Sequence, residues 1–213
     1  YYLAIDNVYD GGKGAVILFD YFKLTTIEGV IADDENNPVE AEVVWENSTT
    51  GEEIIEISSD KITGAFKMTV PYNMNPTNHY TLAAFAENYF FSEVTYTPLE
   101  IATQESVSIN MILPELKAGK RSSLHNINFV GDKASFLVGA YPSLKRLYRL
   151  MKKNPSLVIH IEGHTNGASK GQGFSQSLSE NRASISKEYL TSKGILASRI
   201  TTEGLSDEFM LYP

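Results

Sequence analysis

The residues best suited to chemistry lie in LVIHIEGHTNGASKGQGFSQSLSENRASISKEYL, residues 157–190, and foremost among them is Arg182. Ser179 is a residue type that caps helices. Reading it as a helix start places Glu180, Asn181 and Arg182 in the first turn, where backbone N–H groups have no intrahelical partner. A cation there opposes the helix dipole at a cost of roughly 0.3–1 kcal/mol. An anion held jointly by the guanidinium fork and the free N–H groups removes the conflict, which points to a carboxylate or phosphate site. The local residues leave an alternative open, an ordinary surface ion pair between Arg182 and Glu180, Glu188 or a distant carboxylate.

A second constellation is His160, Glu162 and His164, spaced i, i+2 and i+4 so that a strand would present all three on one face. Two imidazoles and a carboxylate suit zinc, but no third histidine or adjacent general base accompanies them. Alternating polar residues are also the normal content of a strand's less buried face. A serine–histidine–aspartate grouping has no Gly-x-Ser-x-Gly turn to support it. The sequence therefore favours binding over catalysis.

The elements that must position Arg182 follow from periodicity. Leu157, Ile159 and Ile161 alternate with Val158, His160 and Glu162, giving a strand that ends at Gly163. A Gly/Ser/Lys-rich loop opening with His164, Thr165, Asn166 and Gly167 returns to Ser179, so the strand's end and the helix's start are expected side by side. Before the strand, Leu144, Leu147, Tyr148 and Met151 mark a helix with one packed stripe, started by Pro142 and ended by Asn154-Pro155. Lys145, Arg146, Arg149, Lys152 and Lys153 are expected on its solvent face and in its last turn. The helix after Ser179 is expected over about 180–193, with Ile185 and Tyr189 on its apolar face and Lys193-Gly194 closing it. The order strand, helix, strand, helix, strand gives a two-layer α/β unit.

The run GHTN at 163–166 followed by LSENRA at 178–183 resembles the peptidoglycan-binding signature of OmpA-like C-terminal domains, Gly-His-Thr-Asp then Leu-Ser-x-x-Arg-Ala. The flanks agree. Ile127 through Phe129 resembles that family's first strand, SLKRLYRLMKKNPSLVIHIEGHT its first helix and second strand, and KGILASRITTEGLSDEFMLYP its third strand and following loop. The resemblance covers about 127–213. It implies a non-catalytic domain with no cofactor and no metal, in which Arg182 grips a carboxylate of diaminopimelate in the peptidoglycan stem peptide. Thr165, Leu178, Ser179, Ser175 and Phe129 would complete the ligand-binding site, with Asn166 at the position of the family's aspartate. Asn166 is the main departure, because an amide accepts a hydrogen bond from an ammonium but cannot offset its charge. Val130 stands where an acidic residue is frequent and Ser175 where asparagine is. The loop before Leu178 runs one residue longer than is usual.

Composition supports two units. The 213-residue chain is 42% hydrophobic and carries a net charge of −8, divided unevenly: 4 basic and 18 acidic residues through Leu113, 14 basic and 8 acidic beyond it. The basic half carries no base-stacking or groove-reading motif, so nucleic acid is not an expected partner. The absence of cysteine excludes disulfides and thiolate-bound metal. Residues 1–22 are expected to be the tail of an upstream region, and Pro213 precedes the final strand the family normally supplies. A fragment of a longer exported protein is the expectation.

From Thr25 to Leu113 short β-type runs alternate with turn signals, without a helical period, predicting an antiparallel β-sandwich. Strands are expected near 25–32, 39–46, 52–58, 65–70, 79–87 and 105–112, with turns at Asn36-Asn37-Pro38, Thr50-Gly51 and Thr63-Gly64. Trp45, Phe66, Tyr80, Leu82 and Phe85 are expected in the core, in preference to a sugar-stacking role for Trp45. The acidic loop Asp33–Asn36 is expected to be a solvated turn rather than a calcium loop, lacking regular ligand alternation. EGVIAD at 28–33, PVEAEVVW at 38–45, TGE at 50–52 and TGAFKMTVP at 63–71 resemble the carboxypeptidase regulatory-like, or transthyretin-like, domains, which implies a spacer or docking module.

The expected fold is thus α+β and multidomain: a sandwich over 23–113, a linker over 114–126 and an OmpA-like domain over 127–213 in β-α-β-α-β order without its final strand. The domain order resembles periplasmic OmpA-family lipoproteins of Bacteroidetes-type bacteria. That resemblance implies the periplasmic face of the outer membrane, with peptidoglycan and outer-membrane or periplasmic proteins as partners.

Overall fold

The computed structural model describes residues 2–6, 18–73, 75–104, 106–119, 127–165 and 172–206. The chain is α+β and divides into two compact units, Tyr1–Lys117 and Ala118–Pro213.

The first unit packs two sheets. In one, the long strand β2 (Leu18–Asp33) pairs antiparallel with β1 (Tyr2–Asp6) and β5 (Ala65–Asn73), and parallel with β8 (Ser106–Leu113). The other has the order β4-β3-β6-β7, all antiparallel, from β3 (Glu42–Asn47), β4 (Glu52–Ser58), β6 (Tyr80–Phe85) and β7 (Ser92–Tyr96). Period-two alternation puts Phe66, Met68, Val70 and Tyr72 of β5 inward. They meet Ile27, Ile31, Trp45, Leu82 and Met111 in one core. Trp45 is fully buried and stacks on Tyr80 at 5.4 Å, and its indole N–H donates to the Pro71 carbonyl at 3.2 Å. Its role is packing, as expected; Phe66, Tyr80, Leu82 and Phe85 are buried too.

Four expectations for this unit need correction. The sandwich is not wholly antiparallel, because β8 joins β2 in parallel. Tyr2–Asp6 and Leu18–Phe22, within the stretch read as an upstream tail, are strand. A short helix, α1 (Pro98–Ala102), breaks the all-β pattern. Five residues are too few to show a period, but the signal was present: Thr97 and Glu100 form a reciprocal capping box around Pro98. The expected linker starts too early, since Glu115 bridges to Tyr89 and the Leu116 N–H donates to the Asn88 carbonyl.

The acidic turn is closed on itself. Asp33 accepts from the Glu35 and Asn37 backbone N–H groups at 2.9 and 2.8 Å, and from the Asn37 amide at 3.0 Å. Its oxygens serve the turn, with Asn36 in the left-handed region at φ 64°.

The second unit holds α2 (Tyr141–Lys153), β9 (Ile159–Gly163), α3 (Gln172–Ser192) and β10 (Ile200–Gly204). The strands β9 and β10 pair in parallel with α3 as their crossover. Leu144, Leu147, Leu150 and Met151 of α2 are buried. Arg199 closes that helix, donating to the carbonyls of Met151 (3.0 Å), Asn154 (2.7 Å) and Leu157 (2.9 Å), a favourable place for a cation.

Three expectations fail here. Ile127–Phe129 is not a regular strand; Phe129 makes a single bridge to Phe136. Arg146 is buried, so the basic residues of α2 do not share a solvated face; Ser143 and Arg146 widen the buried stripe beyond the 144–147–151 period. Finally, α3 begins at Gln172, not near residue 180. Its buried stripe is Ser175, Ser179, Ala183, Ser186 and Leu190, small residues for most of its length, while Ile185 and Tyr189 are only half-buried. Gly194, at φ 98°, ends the helix in a Schellman pattern, with N–H groups of Gly194 and Ile195 returning to the carbonyls of Thr191 and Leu190.

The small stripe has a counterpart on the strands. A Cβ on Gly163 would stand 2.1 Å from the Ser179 carbonyl oxygen, and one on Gly204 would stand 2.4 Å from the Glu180 nitrogen. Two strand-ending glycines and the serines of α3 therefore bring the ends of β9 and β10 into backbone contact with the middle of α3.

Candidate functional site

The extended helix changes the basis of the site. Ser179 is not an N-cap: it is fully buried within α3, donates its hydroxyl to the Gln176 carbonyl at 2.8 Å and accepts from the Ser206 N–H at 3.0 Å. Arg182 therefore lies in the helix interior, and free N–H groups at a helix start cannot contribute to anion binding there.

What surrounds Arg182 is a different arrangement. Its guanidinium lies over the Phe129 ring at 4.9 Å, Nε donates to the Lys133 carbonyl at 3.3 Å, and Nη1 donates to the His164 carbonyl at 3.4 Å. Both bonds are long, and among the described residues they leave most of the fork's N–H donors unengaged. Phe129 is fixed beneath the fork by stacking on Phe136 at 5.1 Å. A turn between these two rings, closed by Val130 N–H to the Ser135 carbonyl and Lys133 N–H to the Val130 carbonyl, presents the Lys133 oxygen.

Burial of the guanidinium lowers the Arg182 pKa from its ordinary value, and the nearby negative charge of Asp132 partly opposes the shift. Arg182 remains charged, and partial desolvation strengthens its attraction for an anion. Asp132 is an acidic neighbour that sequence reasoning missed; the position expected to carry an acid is two residues earlier and holds Val130. Asp132 sits in the left-handed region at φ 53°, a conformation aspartate tolerates in turns, and the Gly131-Asp132 pair was the available turn signal. The proposed local ion pair does not form among the described residues: Glu180 instead accepts from the Gln176 amide at 2.8 Å.

Beside Arg182, β9 leads directly into His164 and Thr165. The Thr165 N–H donates to the Ser206 carbonyl at 2.8 Å, and the Ser206 N–H is held by Ser179, so Ser179 positions Thr165 through one residue. Thr165 is 5% exposed, and its hydroxyl is buried with no hydrogen-bond partner among the described residues. The His164 Nδ1 atom is in the same condition. Orphaned buried polar atoms are uncommon in folded proteins, and these two follow one another at the end of β9, where the His164 carbonyl accepts from Arg182.

The other expected residues divide. Leu178 and Ser175 lie one and two turns before Arg182 on the same side of α3; Leu178 is half-buried and Ser175 belongs to the buried small stripe. Asn166 lies outside the described residues. Arg182 and Phe129 are in contact, Thr165 is reached through His164, and Ser179 acts from below.

The zinc grouping is not assembled among the described residues. His160 turns to Thr201 (2.8 Å, Nδ1) and Glu203 (3.3 Å, Nε2) on the neighbouring strand, while His164 Nε2 stands 4.0 Å from Glu162. No group of three metal-ligating side chains that could hold an ion occurs among the described residues.

Residues 128–211 match the OmpA family. Outer membrane protein A of Buchnera aphidicola subsp. Schizaphis graminum is 33% identical over 88 residues, covering 40% of this chain and 25% of that protein. Photosystem I P700 chlorophyll a apoprotein A2 of Gloeobacter violaceus is 28% identical over 187 residues, covering 85% of this chain and 20% of that protein. The chain thus spans a quarter or less of the length of these curated relatives. Among solved structures, the OmpA-like domain of FopA1 from Francisella tularensis is similar at 22% identity and a TM-score of 0.34, over 36% of this chain and 52% of that one. Klebsiella pneumoniae 5-hydroxyisourate hydrolase is similar at 13% identity and a TM-score of 0.32, over 44% of this chain and 93% of that one. The chain carries an OmpA-like domain at residues 128–211.

Proposed function

We propose that the OmpA-like domain binds peptidoglycan without catalysis, Arg182 taking a carboxylate of diaminopimelate, and so anchors an outer-membrane-associated assembly to the cell wall. The observation that carries this reading is the half-buried Arg182 fork, held by two carbonyls at long range, one of them that of His164, which precedes Thr165 and its orphaned hydroxyl. A carboxylate placed at the guanidinium accepts from its remaining N–H groups. His164 and Lys133 orient the fork through their backbone oxygens, Phe129 supports its face, and Asn166 supplies an amide for the ligand's ammonium side. The OmpA family match and the similarity to an outer membrane protein A support the wall-facing location, on the periplasmic side of the outer membrane. The sandwich serves as spacer and docking surface for outer-membrane or periplasmic partners. From its domain order we read the chain as part of an assembly like that of the type IX secretion component PorE, a lipoprotein.

Asn166 favours one second reading, an OmpA-like domain that has lost its ligand and persists as an interaction module, because the position lacks the family's charge. Co-sedimentation with purified peptidoglycan separates the two. The binding reading expects wild-type protein in the pellet, Arg182→Ala in the supernatant with its circular dichroism unchanged, and tighter binding by Asn166→Asp. Equal pelleting of wild type and Arg182→Ala overturns the site, and no pelleting by any of the three supports the second reading.

A further inference from the structure

Arg182 is one end of a continuous aromatic strip. Its guanidinium covers Phe129, Phe129 stacks on Phe136, and Phe136 meets the edges of Tyr141 at 5.9 Å and Tyr189 at 6.5 Å. Tyr141 and Tyr189 are 6.1 Å apart, and Lys193 lies over the Tyr189 ring at 5.7 Å. Arg182 and Tyr189 recur at i and i+7 on one side of α3, about 10 Å apart along the helix at about 1.5 Å per residue, and Lys193 follows just past its end. The rings fix one another's orientation, yet Tyr141 remains 47% exposed. Rings that fix one another are pre-organised, and among the described residues Tyr141 presents the open apolar surface of the group while Phe129, Phe136 and Tyr189 are half-buried.

We infer that this strip, through Tyr141 and Tyr189, is a subsite for the sugar rings of the peptidoglycan glycan strand, next to the stem-peptide carboxylate held by Arg182. The inference rests on the proposed function and goes beyond it. A pyranose ring presents a flat set of C–H bonds on one face that packs on an aromatic ring, while its hydroxyls stay in water. The stem peptide is covalently joined to the glycan, so a peptide held at Arg182 keeps its sugars within reach of the strip, and the second contact becomes intramolecular. Phe136, Tyr141 and Tyr189 close into a compact cluster about 6 Å on a side, an area that matches one or two sugar rings and is small for a protein interface.

The test compares two probes on the full chain by calorimetry: the free L-Ala–D-Glu–diaminopimelate tripeptide, and the same tripeptide attached to its N-acetylglucosamine–N-acetylmuramic acid disaccharide. The disaccharide-peptide should bind about five- to tenfold more tightly than the tripeptide. Tyr141→Ala should remove that advantage and leave tripeptide affinity unchanged, while Tyr141→Phe, which keeps the ring, should retain it. Equal affinity of wild type for both probes, or equal loss for both in Tyr141→Ala, overturns the glycan subsite while leaving the Arg182 reading intact. Tyr141-dependent binding of the disaccharide form, alongside no effect of Arg182→Ala on the tripeptide, overturns the Arg182 reading alone. Concentration-dependent self-association abolished by Tyr141→Ala would assign the strip to a second copy of the chain and overturn the inference.

Discussion

Replacing Ser179 distinguishes a helix cap from an interior lock. In the structure its hydroxyl donates to the Gln176 carbonyl and accepts from the Ser206 N–H, with no solvent exposure. Ser179→Ala strips the Ser206 N–H of this acceptor inside a buried contact, which costs about 1–3 kcal/mol. For a unit of this size, a loss near 2 kcal/mol lowers the midpoint of thermal unfolding by roughly 8–16 °C. Ser179→Asp is the sharper variant. At an N-cap, aspartate is as good as serine and stability would be unchanged. In the helix interior it buries a carboxylate where even a Cβ on Gly204 would come within 2.6 Å of the serine oxygen, and the loss should reach about 3 kcal/mol or more. Far-UV circular dichroism follows α2 and α3, the long helices of the second unit, whereas fluorescence of Trp45, the chain's one tryptophan, reports on the first. An aspartate variant as stable as wild type in the helical signal would refute the interior position of Ser179 and the positioning of Thr165 that depends on it.

Arg199→Ala removes three hydrogen bonds at the end of α2 and should cost about 2 kcal/mol in the same dichroism assay, with Arg199→Lys recovering little because a point charge cannot span three carbonyls. Acid should weaken the sandwich. The Asn37 side chain holds the Asp33 carboxyl below its ordinary value of 3.8, and the Thr63 backbone does the same for Asp60. The Thr97 backbone lowers Glu100 from 4.5. Groups with depressed folded pKa values stabilise above their ordinary values and lose that contribution as pH falls through the folded ones. Urea midpoints from Trp45 fluorescence should therefore drop as pH falls below about 4, and less steeply in Asp60→Asn.

Much of the fold was legible in the sequence because burial enforced simple periods. The alternating residues of β5 and the Leu-rich stripe of α2 read directly, and the turns at Asn36, Gly51 and Gly64 carry the positive φ that their residue types imply. The start of α3 did not read directly. Its first two turns contain Gly173, Ser175, Ser177 and Ser179, residues that compete with the helical backbone and look like loop and cap. They are helical because close approach to Gly163 and Gly204 requires small side chains, a tertiary demand that local propensity cannot express. The same demand hid the buried face, which is carried by serines rather than by Ile185 and Tyr189. For the site, the motif and its flank name Arg182, Thr165 and Phe129, of which Arg182 and Phe129 are in contact, but Arg182 is not at a helix start. Its surroundings depend on the Lys133 and His164 carbonyls, and backbone oxygens leave no trace in residue type.

Isothermal calorimetry of the full chain with the free diaminopimelate tripeptide tests most directly whether Arg182 is the carboxylate anchor. Truncating a half-buried charged donor that faces a carboxylate should cost about 2 kcal/mol, so Kd should rise about thirtyfold in Arg182→Ala. Saturable one-to-one binding by wild type with that loss is the predicted result. The same Kd in both proteins, or no binding by wild type, would contradict that role for Arg182.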